Sequence, residues 1–185
     1  GNWQEFDWFG QLGQKEYEAS SISVRFTYEL ATQPLSSCRM TYTVVPDGSI
    51  KAELDYDADE GLPEIPDFAM IFTMPADYGQ VRFYGYGPLD NYADRERGAK
   101  LGIFETQAKD EVEPYLLPQE TGNHCGVRWI EVTDHRGRGV RLSMDGKPFE
   151  ASALPYTAHE LENARHPYDL PEVHHTFLRA SLGQC

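Results

Sequence analysis

Six histidines, three cysteines and 30 Asp and Glu residues in a chain of 185 are the side chains from which a metal site, a nucleophile or an acid–base pair would be built. A shared zinc ion needs ligands converging from one face. His174 and His175 are neighbours in a segment that alternates, so their side chains point to opposite faces of a strand. His159 and His166 fall near one face of a short helix, but no HExxH spacing or third ligand accompanies them, and they read as exposed helix residues. Asp55, Asp57, Asp59 and Glu60 form a short acidic stretch without the Gly and Glu spacing of a calcium loop. No metal ligand is assigned.

Covalent chemistry finds no better seat. A nucleophile needs a histidine held against it and a carboxylate behind that, and no GxSxG turn is present. Cys125 adjoins His124, but adjacent residues on a strand diverge, and Cys125 reads as a buried, inert thiol. Neither a P-loop nor GxGxxG occurs, so no nucleotide cofactor is expected. A retaining glycosidase needs two carboxylates about 5 to 5.5 Å apart, and abundance of acids does not single out such a pair. Asp94 and Glu120, with Arg95, Arg97 and Arg128 near them in sequence, read as ion pairs pinning a long loop. Tyr84, Tyr86, Tyr92, Tyr115 and Trp129 are the types that stack on a hexose ring. Trp129 shares a strand face with Val127 if the two lie on one strand, which places it in the core.

Composition narrows the partners. A formal charge of -14 without a basic run repels phosphate backbones and anionic membranes, so neither nucleic acid nor a membrane is an expected partner. The acid is spread as on a cytoplasmic surface. Cys38, Cys125 and Cys185 show no CxxC spacing and read as reduced thiols. The opening Gly1-Asn2-Trp3-Gln4-Glu5 has no basic or apolar leader region, and no run approaches about 18 apolar residues.

These residues must be positioned by strands. Ile22, Val24, Phe26, Tyr28 and Leu30 alternate with polar residues at period two. Cys38, Met40, Tyr42, Val44 and Ile50, Ala52, Leu54, Tyr56 repeat the pattern as two arms of a hairpin reversing at Pro46-Asp47-Gly48. Further strands are expected at Phe68–Met74, Val81–Tyr86, Val127–Val132, Val140–Met144 and Val173–Leu178. Many short strands between Gly, Pro and Asp turns predict an all-β sandwich or barrel. One short helix opens on the capping box of Thr157 and Glu160 and stops at Pro167. The stretch from Pro88 to Gly122 is non-periodic. Its apolar residues Leu89, Tyr92, Leu101, Ile103, Phe104, Tyr115, Leu116 and Leu117 predict a long ordered loop packed over the sandwich.

That loop carries a resemblance. Tyr84-Gly85-Tyr86-Gly87-Pro88-Leu89-Asp90-Asn91-Tyr92-Ala93-Asp94-Arg95 resembles the G-P-x-E-N-Y-x-D-R segment of lacZ-type β-galactosidases of glycoside hydrolase family 2, with Asp90 in place of the usual Glu. Pro114-Tyr115-Leu116-Leu117-Pro118-Gln119-Glu120-Thr121-Gly122-Asn123 is similar to the family's P-Y-x-x-P-Q-E-x-G-N segment. Tyr156-Thr157, Glu160-Leu161, Ala164, His166 and Asp169-Leu170-Pro171 extend the match. The family residues this assigns here are Gly87, Pro88, Asn91, Tyr92, Asp94, Arg95, Pro118, Glu120, Gly122 and Asn123.

The resemblance implies an antiparallel sandwich of the galactose-mutarotase-like (supersandwich) type, the carboxy-terminal small-chain domain of an enzyme that hydrolyses terminal β-galactosides such as lactose with retention. The catalytic glutamates and the magnesium and sodium of that family belong to a separate (β/α)8 barrel, which needs about 250 residues. Residues 1–185 are then expected to form a single incomplete domain. The chain stops before the closing strands and the G-G-D-D-S-W segment through which the family's domain lends a tryptophan to the active site. Alone it is expected to be inactive, without cofactors, and to partner the remaining domains or a large subunit in a homo-oligomer. A sugar site of its own would draw on Tyr92, Glu120, His124 and Arg128.

Overall fold

The structure, a computed structural model, describes residues 21–57, 61–62 and 67–184. Gly1 to Glu5, where no leader pattern is read, Asp59 and Glu60 of the acidic stretch, and Cys185 lie outside the described residues. The chain divides into two units, residues 1–64 and 65–185.

The first unit contains three strands in an antiparallel meander, β1 (Ile22–Leu30), β2 (Ser36–Val44) and β3 (Ile50–Asp57), in that order. Period-two alternation gives the sheet one apolar face, because the register sets Val24 beside Tyr42 and Ala52, Phe26 beside Met40 and Leu54, and Tyr28 beside Cys38 and Tyr56. Cys38 and Met40 on the middle strand are buried. The other face pairs Ser23 with Thr43 and Arg39 with Asp55, both at 2.8 Å. At the expected hairpin the Asp47 carboxylate accepts from the Ser49 amide at 2.8 Å, the side-chain-to-backbone bond that makes Asp a turn residue.

The second unit is a sandwich of two antiparallel four-stranded sheets. One runs β4 (Asp67–Pro75), β11 (His175–Gln184), β10 (Phe149–Leu154), β7 (His124–Val127). The other runs β6 (Lys100–Gln107), β5 (Gln80–Gly87), β8 (Trp129–Thr133), β9 (Gly139–Ser143). Inward residues of the second sheet, Val81, Phe83, Ile130 and Val132, meet Met74, Val127, Phe149, Ala151, Ala153 and Leu178 from the first. Each larger buried side chain contributes about 1.5 to 3 kcal/mol, which is what holds two twisted sheets face to face. Helix α1 (Ala158–Asn163) follows β10, its capping box closed by Glu160 N donating to Thr157 Oγ1 at 3.2 Å and Thr157 N donating to Glu160 Oε2 at 2.8 Å. Leu161 and Ala164 are the buried residues of its apolar side. The all-β sandwich with one helix is as expected.

Three readings of the sequence are corrected. Val127–Val132 is not one strand: β7 and β8 lie in different sheets. The chain crosses between the sheets at Arg128, which belongs to neither strand; Gly126, inside β7 where the register with β10 shifts, adopts φ +60, and an added Cβ there would meet the Tyr86 ring at 2.7 Å. Trp129 is therefore not a core residue beside Val127. It lies half-buried, with the guanidinium of Arg141 4.3 Å and that of Arg82 5.5 Å from its ring centre. The stretch from Pro88 to Gly122 is not loop throughout, since β6 runs through it, antiparallel to β5 with Phe104 opposite Phe83. Its outward residues Leu101 and Ile103 are apolar and exposed, which erased the alternation that would have revealed a strand. Leu89, Leu116 and Leu117 are exposed as well rather than packed over the sandwich.

Candidate functional site

The two segments with the most distinctive sequence meet at the end of β5 and the start of β7, and two asparagines join them. Asn91 is buried, donates from Nδ2 to the carbonyls of Tyr86 at 2.9 Å and Leu89 at 3.0 Å, and accepts at Oδ1 from the Cys125 amide at 2.8 Å. Asn123, also buried, donates to the Asn91 carbonyl at 3.0 Å and to Glu150 Oε2 at 2.9 Å, while its own carbonyl accepts from the Asn91 amide at 2.7 Å. Asparagine is suited to this because one small side chain offers two donors and an acceptor to backbone that would otherwise be buried unpaired. The Gly87–Pro88 peptide that leads into this turn is cis.

Around the asparagines lies a ring of charge. Asp90 accepts from Arg95 Nη2 at 2.9 Å and from the Gly122 amide at 3.4 Å. The Arg95 guanidinium lies 4.5 Å from the centre of the Tyr92 ring, and its backbone amide donates to the Tyr92 carbonyl at 2.9 Å. Burial pulls Arg95 down, and a hydrogen bond with the Tyr115 side chain together with the Asp90 charge more than reverses it, so Arg95 stands above its ordinary value. The Tyr92 hydroxyl is buried with no hydrogen-bond partner among the described residues. Burial raises it well above the usual phenol range, with the charges of Glu120 and Asp90 adding to that, and the Arg95 charge, then the Asn123 amide, acting the other way. Asp94 is exposed, and Pro118 is buried.

His124 and Arg128 are engaged elsewhere. His124 lies at 2.7 Å from Glu111 Oε2 through Nε2 and at 3.2 Å from the Tyr86 carbonyl through Nδ1, its ring stacked on Phe83 with centres 4.0 Å apart. Arg128 donates through its backbone amide to the Tyr84 carbonyl at 2.7 Å and through Nη1 to the Gly126 carbonyl, and its guanidinium lies over Tyr84 and Tyr86. Of the four residues suggested for a sugar site, Tyr92 and Glu120 therefore share one electrostatic neighbourhood, and His124 and Arg128 do not join them.

The ion pairs expected to pin the loop exist with other partners. Arg95 takes Asp90 rather than Asp94. Glu120 Oε1 lies 3.7 Å from Nη1 of Arg179 on β11, not near Arg128 or Arg95 in an ion pair. Arg179 also holds Asp67 on β4, at 2.7 Å through Nη2. Sequence reasoning missed Glu111, Glu150, Asp67 and Arg179. No local motif marks them, because their partners are distant in the chain. Among the described residues no group of three or more His, Cys, Asp or Glu could hold a metal ion. His159, His166, His174 and His175 are all exposed, His166 at the head of a 3₁₀ turn, Pro167–Asp169, rather than on the helix. Asp67 and Asp90 each pair with an arginine, Glu111 with the His124 ring and Glu150 with the Asn123 side-chain amide. Chemically, this arrangement fixes backbone.

A family model described as the β-galactosidase small chain matches residues 1–185. The chain is similar to a β-galactosidase of Halalkalibacterium halodurans, 42% identical over 172 residues that make up 91% of this chain and 17% of that protein. It is similar to the β-galactosidase BgaC of Bifidobacterium adolescentis, 43% identical over 89% of this chain and 16% of that protein. A β-galactosidase small subunit of Latilactobacillus sakei is 33% identical over 86% of this chain and 53% of its own length. The chain thus spans about a sixth of the two long relatives and about half of the small subunit.

Proposed function

Because the chain belongs to the β-galactosidase small chain family, matched over all of residues 1–185, we propose that it works as a non-catalytic domain of a β-galactosidase. The parent enzyme removes terminal β-galactosyl groups from substrates such as lactose, with retention, as a member of glycoside hydrolase family 2. The domain walls the mouth of the active site and packs against the other domains or a large subunit in a homo-oligomer, in the cytoplasm. The observation that carries this is length: the match spans 17% of one β-galactosidase and 53% of a relative that is itself a small subunit.

The geometry supports a structural role for the matched motifs. Asn91, Asn123, Asp90 and Arg95 hold one another and the neighbouring backbone, which is what a wall needs and what a proton-transfer pair does not. Retaining hydrolysis calls for two opposed carboxylates, and in this reading they, with the magnesium and sodium of the family, reside in the remainder of the enzyme.

The alternative, a carbohydrate-binding module, draws on Tyr92, Glu120, His124 and Arg128, with aromatic rings such as Tyr84 and Trp129, which sit opposite each other on one sheet face, to stack on the sugar. Arginines already lie over both rings, and this favours the first reading. The purified chain is expected to leave a chromogenic β-galactoside intact and to give no heat on calorimetric titration with galactose or lactose. Turnover by the chain alone would overturn the non-catalytic role, and a saturable heat would support the binding module instead.

A further inference from the structure

The sandwich of the second unit treats its two outer faces differently. The outward residues Ser152 and Leu154 of β10 are buried, with Leu154 against Gly122 of the connection that follows β6. The outer face of the β6-β5-β8-β9 sheet carries three cross-strand rows. Leu101 pairs with Tyr86, Ile103 with Tyr84 and through it Trp129, and Glu105 with Arg82, Glu131 and Arg141. All of these residues alternate with the core residues Val81, Phe83, Ile130 and Val132 or with Phe104 and Leu142, which pack against that core, so they point away from it. Leu101 and Ile103 are 45% and 55% exposed.

A solvated sheet face carries polar residues in alternation, and an exposed apolar edge strand invites unwanted pairing. Here the edge strand β6 presents Leu and Ile beside two Tyr and a Trp, with Arg82, Arg128 and Arg141 lying over those rings. Tyr, Trp and Arg around an apolar centre are the residue types that anchor protein interfaces. We infer that this face is where the remainder of the β-galactosidase docks, through a surface apolar opposite Ile103 and Tyr84 and acidic opposite Arg128. The inference rests on the reading that the chain works within a larger enzyme. Two observations name that occupant. The match covers only 17% of the Halalkalibacterium halodurans protein, so most of the mass able to cover the face is outside this chain. The face also gathers three arginines against two glutamates on a chain of net charge -14, which selects a partner surface unlike the rest of this one.

Hydroxyl-radical footprinting read by mass spectrometry tests it on the 185-residue chain and on the intact enzyme that carries it. Leu101, Ile103, Tyr84 and Trp129 are expected to label in the chain and to fall several-fold in the intact enzyme. Equal labelling in both overturns the docking face, as does protection that appears in the chain alone on raising its concentration, which would assign the face to a second copy. Activity on a chromogenic β-galactoside, measured on the same intact sample, separates the two ideas. An active enzyme with the face still labelled refutes the docking face and leaves the proposed function standing. An inactive protein with the face protected refutes the function and leaves the face. Ile103→Asp adds an independent reading: it should leave the unfolding temperature of the chain unchanged while weakening assembly of the intact enzyme at least tenfold, and assembly at the unaltered strength would overturn the proposal.

Discussion

His124 and Glu111 are joined by a contact of 2.7 Å between Nε2 and Oε2, with the two side chains 2% and 9% exposed. The other ring nitrogen faces the Tyr86 carbonyl, an acceptor only, so Nδ1 carries a proton. A second proton must then lie between Nε2 and the carboxyl for that contact to be a hydrogen bond. Glu111→Ala leaves Nε2 buried without a partner and should cost about 1 to 3 kcal/mol in urea unfolding. Glu111→Gln can donate its amide to Nε2 and should cost clearly less. Equal losses for the two variants would mean that packing, not the hydrogen bond, sets the value of the pair.

Gly122 ties the same connection down through its backbone. It adopts φ +69, and an added Cβ would come within 2.7 Å of Leu154 Cδ2 and 2.8 Å of the Glu111 carbonyl oxygen. Gly137 adopts φ +76 with nothing within 4 Å of the same position. Gly137→Ala therefore meets only the left-handed backbone cost of about 1 to 2 kcal/mol. Gly122→Ala adds a clash that a backbone oxygen cannot relieve, and its melting temperature should fall further. Equal shifts for the two variants would contradict the close approach.

How much of this was legible in the sequence depended on which faces stay wet. β1, the hairpin of β2 and β3, and the capping box of α1 were readable because polar and apolar residues alternate there at the period of the element. β6 was hidden by Leu101 and Ile103, apolar on the side that faces outward, and β10 by burial on both sides, since Phe149, Ala151 and Ala153 face the core while Ser152 and Leu154 are buried on the other face. The break at Arg128 was invisible because strand-forming residues flank it and only the fold shows that Val127 and Trp129 belong to different sheets. At the candidate site the motifs marked Asn91, Asp90 and Asn123. The partners of Asn123, Glu150 and Arg179, come from other strands, and Glu111 reaches the neighbouring His124 from a 3₁₀ turn, so only tertiary structure brings them in.

Cys125 offers a pH test. Burial pushes its thiol up to about 12, with the charges of Glu150, Glu96 and Asp94 adding to the shift. A folded thiol that keeps its proton above the unfolded value of 9.0 contributes stability in full below about pH 9, and that contribution is lost as pH rises toward 12. Alkylation at pH 8 by iodoacetamide should accordingly leave Cys125 unmodified until the chain unfolds. Cys125→Ala should remove this component of the alkaline decline in stability. A native Cys125 that alkylates at the rate of a free peptide thiol would contradict the burial that underlies both expectations.

Arg179 is the strongest test of whether the charge network matters to stability. Its side chain is 12% exposed and reaches Asp67 through Nε at 3.0 Å and Nη2 at 2.7 Å, and Asn123 Oδ1 through Nη1 at 3.5 Å. Arg39 and Asp55 form an equally short pair with side chains 50% and 68% exposed. Water screens the second pair and leaves its side chains free to move, so a double-mutant cycle there should give about 0.5 kcal/mol or less. The cycle on Arg179 and Asp67 should give more, about 1 kcal/mol, because the Arg179 guanidinium is largely out of water and bonded by two nitrogens, although Asp67, 36% exposed, stays partly hydrated. Arg179→Lys should recover only part of the loss, since a single ammonium cannot reproduce a fork that serves β4 and the Asn123 segment together. Coupling energies of the same size for the two pairs would show that the network around Asn123 positions its loop without stabilising the sandwich.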